Sequence, residues 1–171
     1  SVVTWGDTGA GGDSTAVREQ LSADVQHVAG TGRAFAAVKA DGSVVTWGSA
    51  GFGGDSTAVR EQLAADVHKI AGTLYAFAAV KADGSVVTWG SAGCGGNSSA
   101  VREQLTADVQ HVAGTGFAFA AVKGDGSVVT WGDASRGGDS SALHEQLAAD
   151  VQSIASTGCA FAAVKGDGSV V

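Results

Sequence analysis

Ala76-Phe77-Ala78-Ala79-Val80-Lys81-Ala82-Asp83-Gly84-Ser85-Val86-Val87-Thr88-Trp89-Gly90 reads as two β-strands joined by an Asp-Gly turn. Asp-Gly between alternating apolar residues is a strong local hairpin signal, because a two-residue turn of that kind takes positive φ at both positions. With Asp83 and Gly84 as the loop, Lys81 faces Val86, Val80 faces Val87 and Ala78 faces Trp89. Side chains alternate across a strand, so this register predicts one face of Ala78, Val80, Val87 and Trp89 and another of Phe77, Ala79, Val86 and Thr88. Both faces are largely apolar, whereas a sheet wet on one side shows polar residues at every second position. The hairpin therefore wants a neighbour on each face.

The same hairpin recurs at 34–48 and 118–132, and once more, shortened, at 160–171. Self-alignment gives a period of 42 residues, which divides the chain into repeats 1–42, 43–84, 85–126 and 127–168 with a stub at 169–171. Fixed periodicity of this length marks a solenoid, propeller or array, and we treat residues 1–171 as one repeat domain. Within the second copy, Ser43 to Gly48 reads as a strand and Ser49 to Gly54 as a Gly-rich loop. Asp55 or Ser56 then caps a short helix from Thr57 to about Ala65, with Val59 and Leu63 on one face and Arg60, Glu61 and Gln62 turned outward. Asp66 to Gly72 is a further strand anchored by Val67 and Ile70, followed by the hairpin strand Ala76 to Ala82. The fold class expected is mainly β with one short helix per repeat, built as β-propeller-type blades of three antiparallel strands. The alternative is a β/α solenoid arc, disfavoured because solenoid strands normally run parallel.

The formal net charge is −7, from 10 Lys and Arg against 17 Asp and Glu, and no Lys/Arg run occurs. That argues against nucleic acid as a partner, since phosphate binding needs a basic footprint. No apolar run approaches the roughly twenty residues of a spanning helix. Cys94 and Cys159 occupy non-equivalent repeat positions and read as free thiols, which leaves the compartment open.

The residues Val-x-x-Ile-Ala-Gly, then Ala-Phe-Ala-Ala-Val-Lys-Ala-Asp-Gly-Ser-Val-Val-Thr-Trp-Gly, then Gly-Phe-Gly-Gly resemble repeats of the regulator-of-chromosome-condensation family, once per copy. The resemblance implies a propeller serving as a protein-binding platform; among such proteins are GTPase exchange factors, ubiquitin-ligase recognition domains and enzyme inhibitors. Three departures stand out. The His that often follows Ala-Gly-x-x is here Arg33, Tyr75, Phe117 and Cys159. The Asn two residues after Trp-Gly is Thr8, Ala50, Ala92 and Ala134. A stretch extended in the family is here the Ser-x-Ala-Val-Arg-Glu-Gln-Leu segment.

The chain opens with a Ser-Val-Val-Thr-Trp-Gly strand and closes on the first residues of the same strand, Ser169-Val170-Val171. Because both ends would compete for one place, we expect a segment of a longer array, or a half-ring that dimerises, rather than a closed four-blade ring.

Few residues suggest chemistry. The Gly51-Phe52-Gly53-Gly54 loop and its equivalents lack the Gly-Lys-Ser/Thr of a phosphate-binding loop. Asp41, Asp83, Asp125 and Asp167 supply one carboxylate per turn, too few oxygens for calcium. His27, His68, His111 and His144 show no metal-ligand spacing and no Ser-His-Asp set, so no catalytic residue, metal or cofactor is assigned. What varies between copies is more informative. The tenth repeat position reads Ala10, Phe52, Cys94, Arg136, and the thirty-third reads Arg33, Tyr75, Phe117, Cys159. Aromatic and Arg side chains on loops are typical interface anchors, so Phe52, Arg136, Arg33, Tyr75 and Phe117 are the candidate protein-binding residues. The function expected is a non-enzymatic repeat scaffold that binds protein partners, or further copies of the repeat, through loop surfaces. The alternatives are a regulatory propeller module (a GTPase exchange factor or ubiquitin-ligase recognition domain) and a structural subunit of a larger complex.

Overall fold

A computed structural model describes residues 1–171. Eleven strands form four sheets: β1 (Val25–Gly30), β2 (Ala34–Lys39) and β3 (Val44–Gly48); β4 (Val67–Gly72), β5 (Ala76–Lys81) and β6 (Val86–Gly90); β7 (Val109–Gly114), β8 (Ala118–Lys123) and β9 (Val128–Gly132); and β10 (Val151–Ser156) with β11 (Phe161–Lys165). Every pairing is antiparallel, and each three-stranded sheet is a simple meander with the hairpin strand in its centre. The fold is mainly β and of propeller type.

The hairpin register differs by one residue from the sequence expectation. Phe77 pairs with Trp89, Ala79 with Val87 and Val80 with Val86, and Ala78 lies opposite Thr88. The loop is three residues long, Ala82-Asp83-Gly84, closed by Lys81 N–H donating to the Ser85 carbonyl at 2.9 Å. Only Gly84 has positive φ, at 75°. Ser85 explains the change. Its N–H and hydroxyl both donate to Asp83 Oδ1, at 2.9 and 2.6 Å. That bridge stabilises a type I turn ending in a left-handed glycine rather than a two-residue turn.

A one-residue shift moves one strand's side chains to opposite faces. Each sheet consequently has a large face and a small one. On the second sheet, Ile70, Phe77, Ala79, Val87 and Trp89 share the large face, which packs on Ala34, Ala36 and Val38 of the first sheet. Its small face of Ala76, Ala78 and Val80 receives Phe119, Val129 and Trp131 of the third sheet. Large-on-small stacking fills the space between sheets while keeping their backbones close. Gly72 marks one close approach, since a Cβ there would lie 2.5 Å from the Gly30 carbonyl oxygen.

Val67 and Ile70 are both buried, at 3% and 8% exposure, although three residues apart. A bulge between Val67 and Lys69 absorbs the odd spacing and brings both onto the large face. The expected helix from Thr57 to Ala65 is not formed. The structure has a 3-10 turn at Thr57–Val59 instead, followed by isolated turn bonds from Leu63 N–H to the Val59 carbonyl and from Ala64 N–H to the Glu61 carbonyl. Two turns of helix are too short to hold in water, and burying Leu63 alone needs no more than one. Asp55 starts the turn, accepting from Thr57 N–H at 2.9 Å, and Arg60, Glu61 and Gln62 are exposed. Ser1–Gly6 also departs from expectation: it lies beside no partner strand and is not part of a sheet.

The turn aspartates make the fold acid-sensitive. The Ser85 hydroxyl and then its N–H hold the Asp83 carboxyl below its ordinary value of 3.8, and Asp41, Asp125 and Asp167 are lowered in the same way by the serine two residues on. A carboxyl with a depressed folded pKa contributes stability above the unfolded value and loses it as pH falls through the folded value. The melting temperature is expected to be flat between pH 7 and 5 and to fall below about pH 4, with Asp83→Ala flattening part of that fall. Solvent screening at these exposed turns keeps each contribution small.

Candidate functional site: an aromatic–arginine track

The two variable repeat positions lie far apart in sequence, and the fold merges them into one line. Thr31, Thr73 and Thr115 do the joining. Each turns its hydroxyl across the inter-sheet gap to the next copy, Thr31 Oγ1 to the Phe52 carbonyl at 3.0 Å, Thr73 to Cys94 at 3.2 Å and Thr115 to Arg136 at 3.3 Å. Beside them runs a backbone ladder. Gly32 N–H donates to the Leu74 carbonyl at 2.9 Å, Leu74 N–H to Gly116 at 3.0 Å and Gly116 N–H to Gly158 at 2.8 Å. Position thirty-three of one copy is thereby set against position ten of the next.

The side chains then stack in order. The Arg33 guanidinium lies 5.7 Å from the Phe52 ring centre. Phe52 and Tyr75 are 4.9 Å apart, and Tyr75 and Phe117 are 5.6 Å apart. Arg136 closes the line, with its guanidinium 3.7 Å from the Phe117 ring centre. All five residues singled out from the sequence fall on this one track. Contacts of these lengths are attractive through ring quadrupoles and cation–π interaction.

The members are not equally embedded. Phe52 also packs against the core between the first two sheets, and Tyr75 stacks between Phe52 and Phe117. Arg33 is exposed, and Arg136 lies 4.0 Å from Asp133. The Ser135 hydroxyl, with smaller contributions from the Ser135 N–H and from Arg136, holds the Asp133 carboxyl below the usual range. At the same two repeat positions, Cys94 and Cys159 are free thiols and the first copy has Ala10.

Leu74 is the residue that sequence reading passed over. It stands beside Tyr75, is 46% exposed, and occupies a position held by Gly32, Gly116 and Gly158 in the other copies. That single departure from glycine was the available signal. With Leu74, the track is a line of stacked rings and one aliphatic side chain bounded by two guanidinium groups. Stacked Arg keeps its in-plane N–H donors free for carboxylate or carbonyl oxygens. No three His, Cys, Asp or Glu side chains converge as a metal site. No helix is long and apolar enough to cross a membrane.

No family model matches the sequence, and no curated protein is similar to it. Similarity to solved structures is found at the level of fold. Prp20p from Saccharomyces cerevisiae superposes with a TM-score of 0.59 at 16% identity, covering 85% of this chain and 42% of that one. The CRINKLY WD40 ectodomain of the Arabidopsis thaliana receptor kinase ACR4 gives 0.56 at 18% identity, covering 83% and 46%. Human WBSCR16 gives 0.52 at 21% identity, covering 85% and 46%. The chain thus spans less than half the length of these similar structures. Their shared architecture places it among propeller-type proteins.

Proposed function

We propose that the chain is a non-enzymatic propeller-type module that binds a protein partner along the Arg33–Phe52–Tyr75–Phe117–Arg136 track. The observation that carries this reading is the convergence itself. The positions at which the copies differ most are the positions the fold lines up, on loops, while the packing positions stay nearly constant. Interface hot spots are enriched in Tyr and Arg with apolar surroundings, the composition found here. Prp20p is described with binding to Gsp1p and histones, and in a second structure with Kap60, so sheets arranged in this way are compatible with partner surfaces.

The test is affinity capture followed by mass spectrometry with the wild-type chain and the double variant Arg33→Ala/Tyr75→Ala. These two residues are chosen because Phe52 has a share in the core. The variant is expected to lose the captured partner at least tenfold while its melting temperature stays within about 5 °C, the shift of roughly 1–2 kcal/mol in a domain this size. Retention of the partner at wild-type level would remove the track from the interface. A large drop in melting temperature would make the stack a structural element instead.

A further inference from the structure

A groove along the first strands of the sheets gathers most of the chain's histidines. His27 on β1, His68 and Lys69 on β4 and His111 on β7 line one cavity of about 480 Å³. Three of the four histidines in the sequence are thus brought to one place from three different sheets. The cavity wall carries no carboxylate, although Asp and Glu outnumber Lys and Arg by 17 to 10 in the whole chain. Ile70, Val80 and Val112 supply the apolar part of the lining. Small-ligand sites have this make-up, an apolar surface with a few convergent polar groups.

The stacking of the sheets builds the groove. Neighbouring first strands close on each other at their C-terminal ends, where a Cβ on Gly114 would lie 2.7 Å from the Gly72 carbonyl oxygen, much as Gly72 approaches Gly30. At the other end each hairpin tip closes on the next sheet, Val67 N–H donating to the Gly42 carbonyl and Val109 N–H to Gly84, both at 3.0 Å. His68 to Ala71 lie between these two closures on β4, and His111 and Val112 lie between them on β7. The bulge after Val67 interrupts the alternation of faces, so the adjacent His68 and Lys69 are both exposed and both line the cavity. The equivalent positions elsewhere read Gln26-His27, Gln110-His111 and Gln152-Ser153, and none is acidic. The one ion pair of the chain joins Arg136 to Asp133, which leaves Lys69 and the three histidines without a carboxylate partner. An adjoining hollow shares His68 and Lys69 and adds Lys81, Asp83 and Asp108; there Asp83 already accepts from Ser85.

We propose that this groove binds a small phosphate monoester with an apolar body. Lys69 and the flanking His27 and His111 seat the phosphate, and the apolar body lies against Ile70, Val80 and Val112. Lysine supplies a compact positive charge with three donors, and an imidazole N–H donates to an oxyanion in either protonation state. A phosphate monoester offers three acceptor oxygens and close to two charges, which suits several converging donors better than the two oxygens and single charge of a carboxylate. The site uses none of the residues of the aromatic–arginine track, so either reading can fail without the other.

Titration of the chain with phenyl phosphate, inorganic phosphate and benzoate, followed by calorimetry and by the histidine ring signals in NMR spectra, tests this. Phenyl phosphate is expected to bind with a dissociation constant of about 1 mM or tighter. It is expected to shift the signals of His27, His68 and His111 but not that of His144, which lies outside the groove. Inorganic phosphate lacks the apolar body and benzoate the second charge, so both are expected to bind more weakly. Lys69→Ala is expected to weaken phenyl phosphate binding about tenfold, as is Lys69→Gln, with the melting temperature unchanged because Lys69 is exposed. Salt is expected to weaken binding to the wild-type chain as well, by screening the charges. Absence of phenyl phosphate binding at about 10 mM overturns the proposal. So does a shift of His144 equal to those in the groove, an affinity untouched by both Lys69 substitutions, or benzoate binding as tightly as phenyl phosphate.

Discussion

Trp89→Ala is expected to lower the unfolding free energy by about 3–5 kcal/mol, the usual cost of truncating a buried aromatic residue. Trp89 is 4% exposed, stacks on Phe77 at 5.1 Å, and donates its indole N–H to the Gly53 carbonyl at 2.9 Å. The substitution removes the ring from the seam between the first two sheets and strips a buried carbonyl of its donor. Urea denaturation followed by circular dichroism gives the value. Trp5→Ala is the internal control, because Trp5 is the same residue of the same hexapeptide and is exposed; that change is expected to be nearly neutral. Equal losses at the two positions would refute the packing described.

Ala78→Leu is expected to cost about 1–3 kcal/mol, from overpacking rather than from a cavity. Ala78 is fully buried on the small face of the second sheet, where the large face of the third presses with Phe119 and Trp131. A larger side chain there has to push two sheets apart. In the register read from the sequence, Ala78 shares a face with Trp89, and a Leu would extend the large face. In the register observed, Ala78 lies opposite Thr88 and belongs to the small face. Thermal denaturation therefore decides between the two registers directly.

Much of the architecture was legible because identical neighbours leave a period behind. The antiparallel hairpin, the strand before it with its Val67 and Ile70 anchors and the outward-turned Arg60-Glu61-Gln62 all follow from patterning. The hairpin register did not follow. Asp-Gly fits two turn lengths, and the choice rested on Ser85 bridging to Asp83, a side-chain bond that patterning does not register. The helix was overread for a related reason: Val59 and Leu63 have helical spacing, but one turn suffices to bury Leu63.

The candidate site divides along the same boundary. Sequence alone picked out Phe52, Arg136, Arg33, Tyr75 and Phe117, because variation among near-identical copies is visible without coordinates. It treated positions ten and thirty-three as two sets and passed over Leu74. Only the tertiary structure made them one track, because their contact is set by Thr31, Thr73 and Thr115 bonding to the next copy and by the 2.8–3.0 Å ladder through Gly32, Leu74, Gly116 and Gly158. Hydrogen bonds between copies depend on how sheets stack, and stacking depends on which faces are large and which small. Composition and period determine that sheets must stack; the one-residue register decides how, and with it which loops meet.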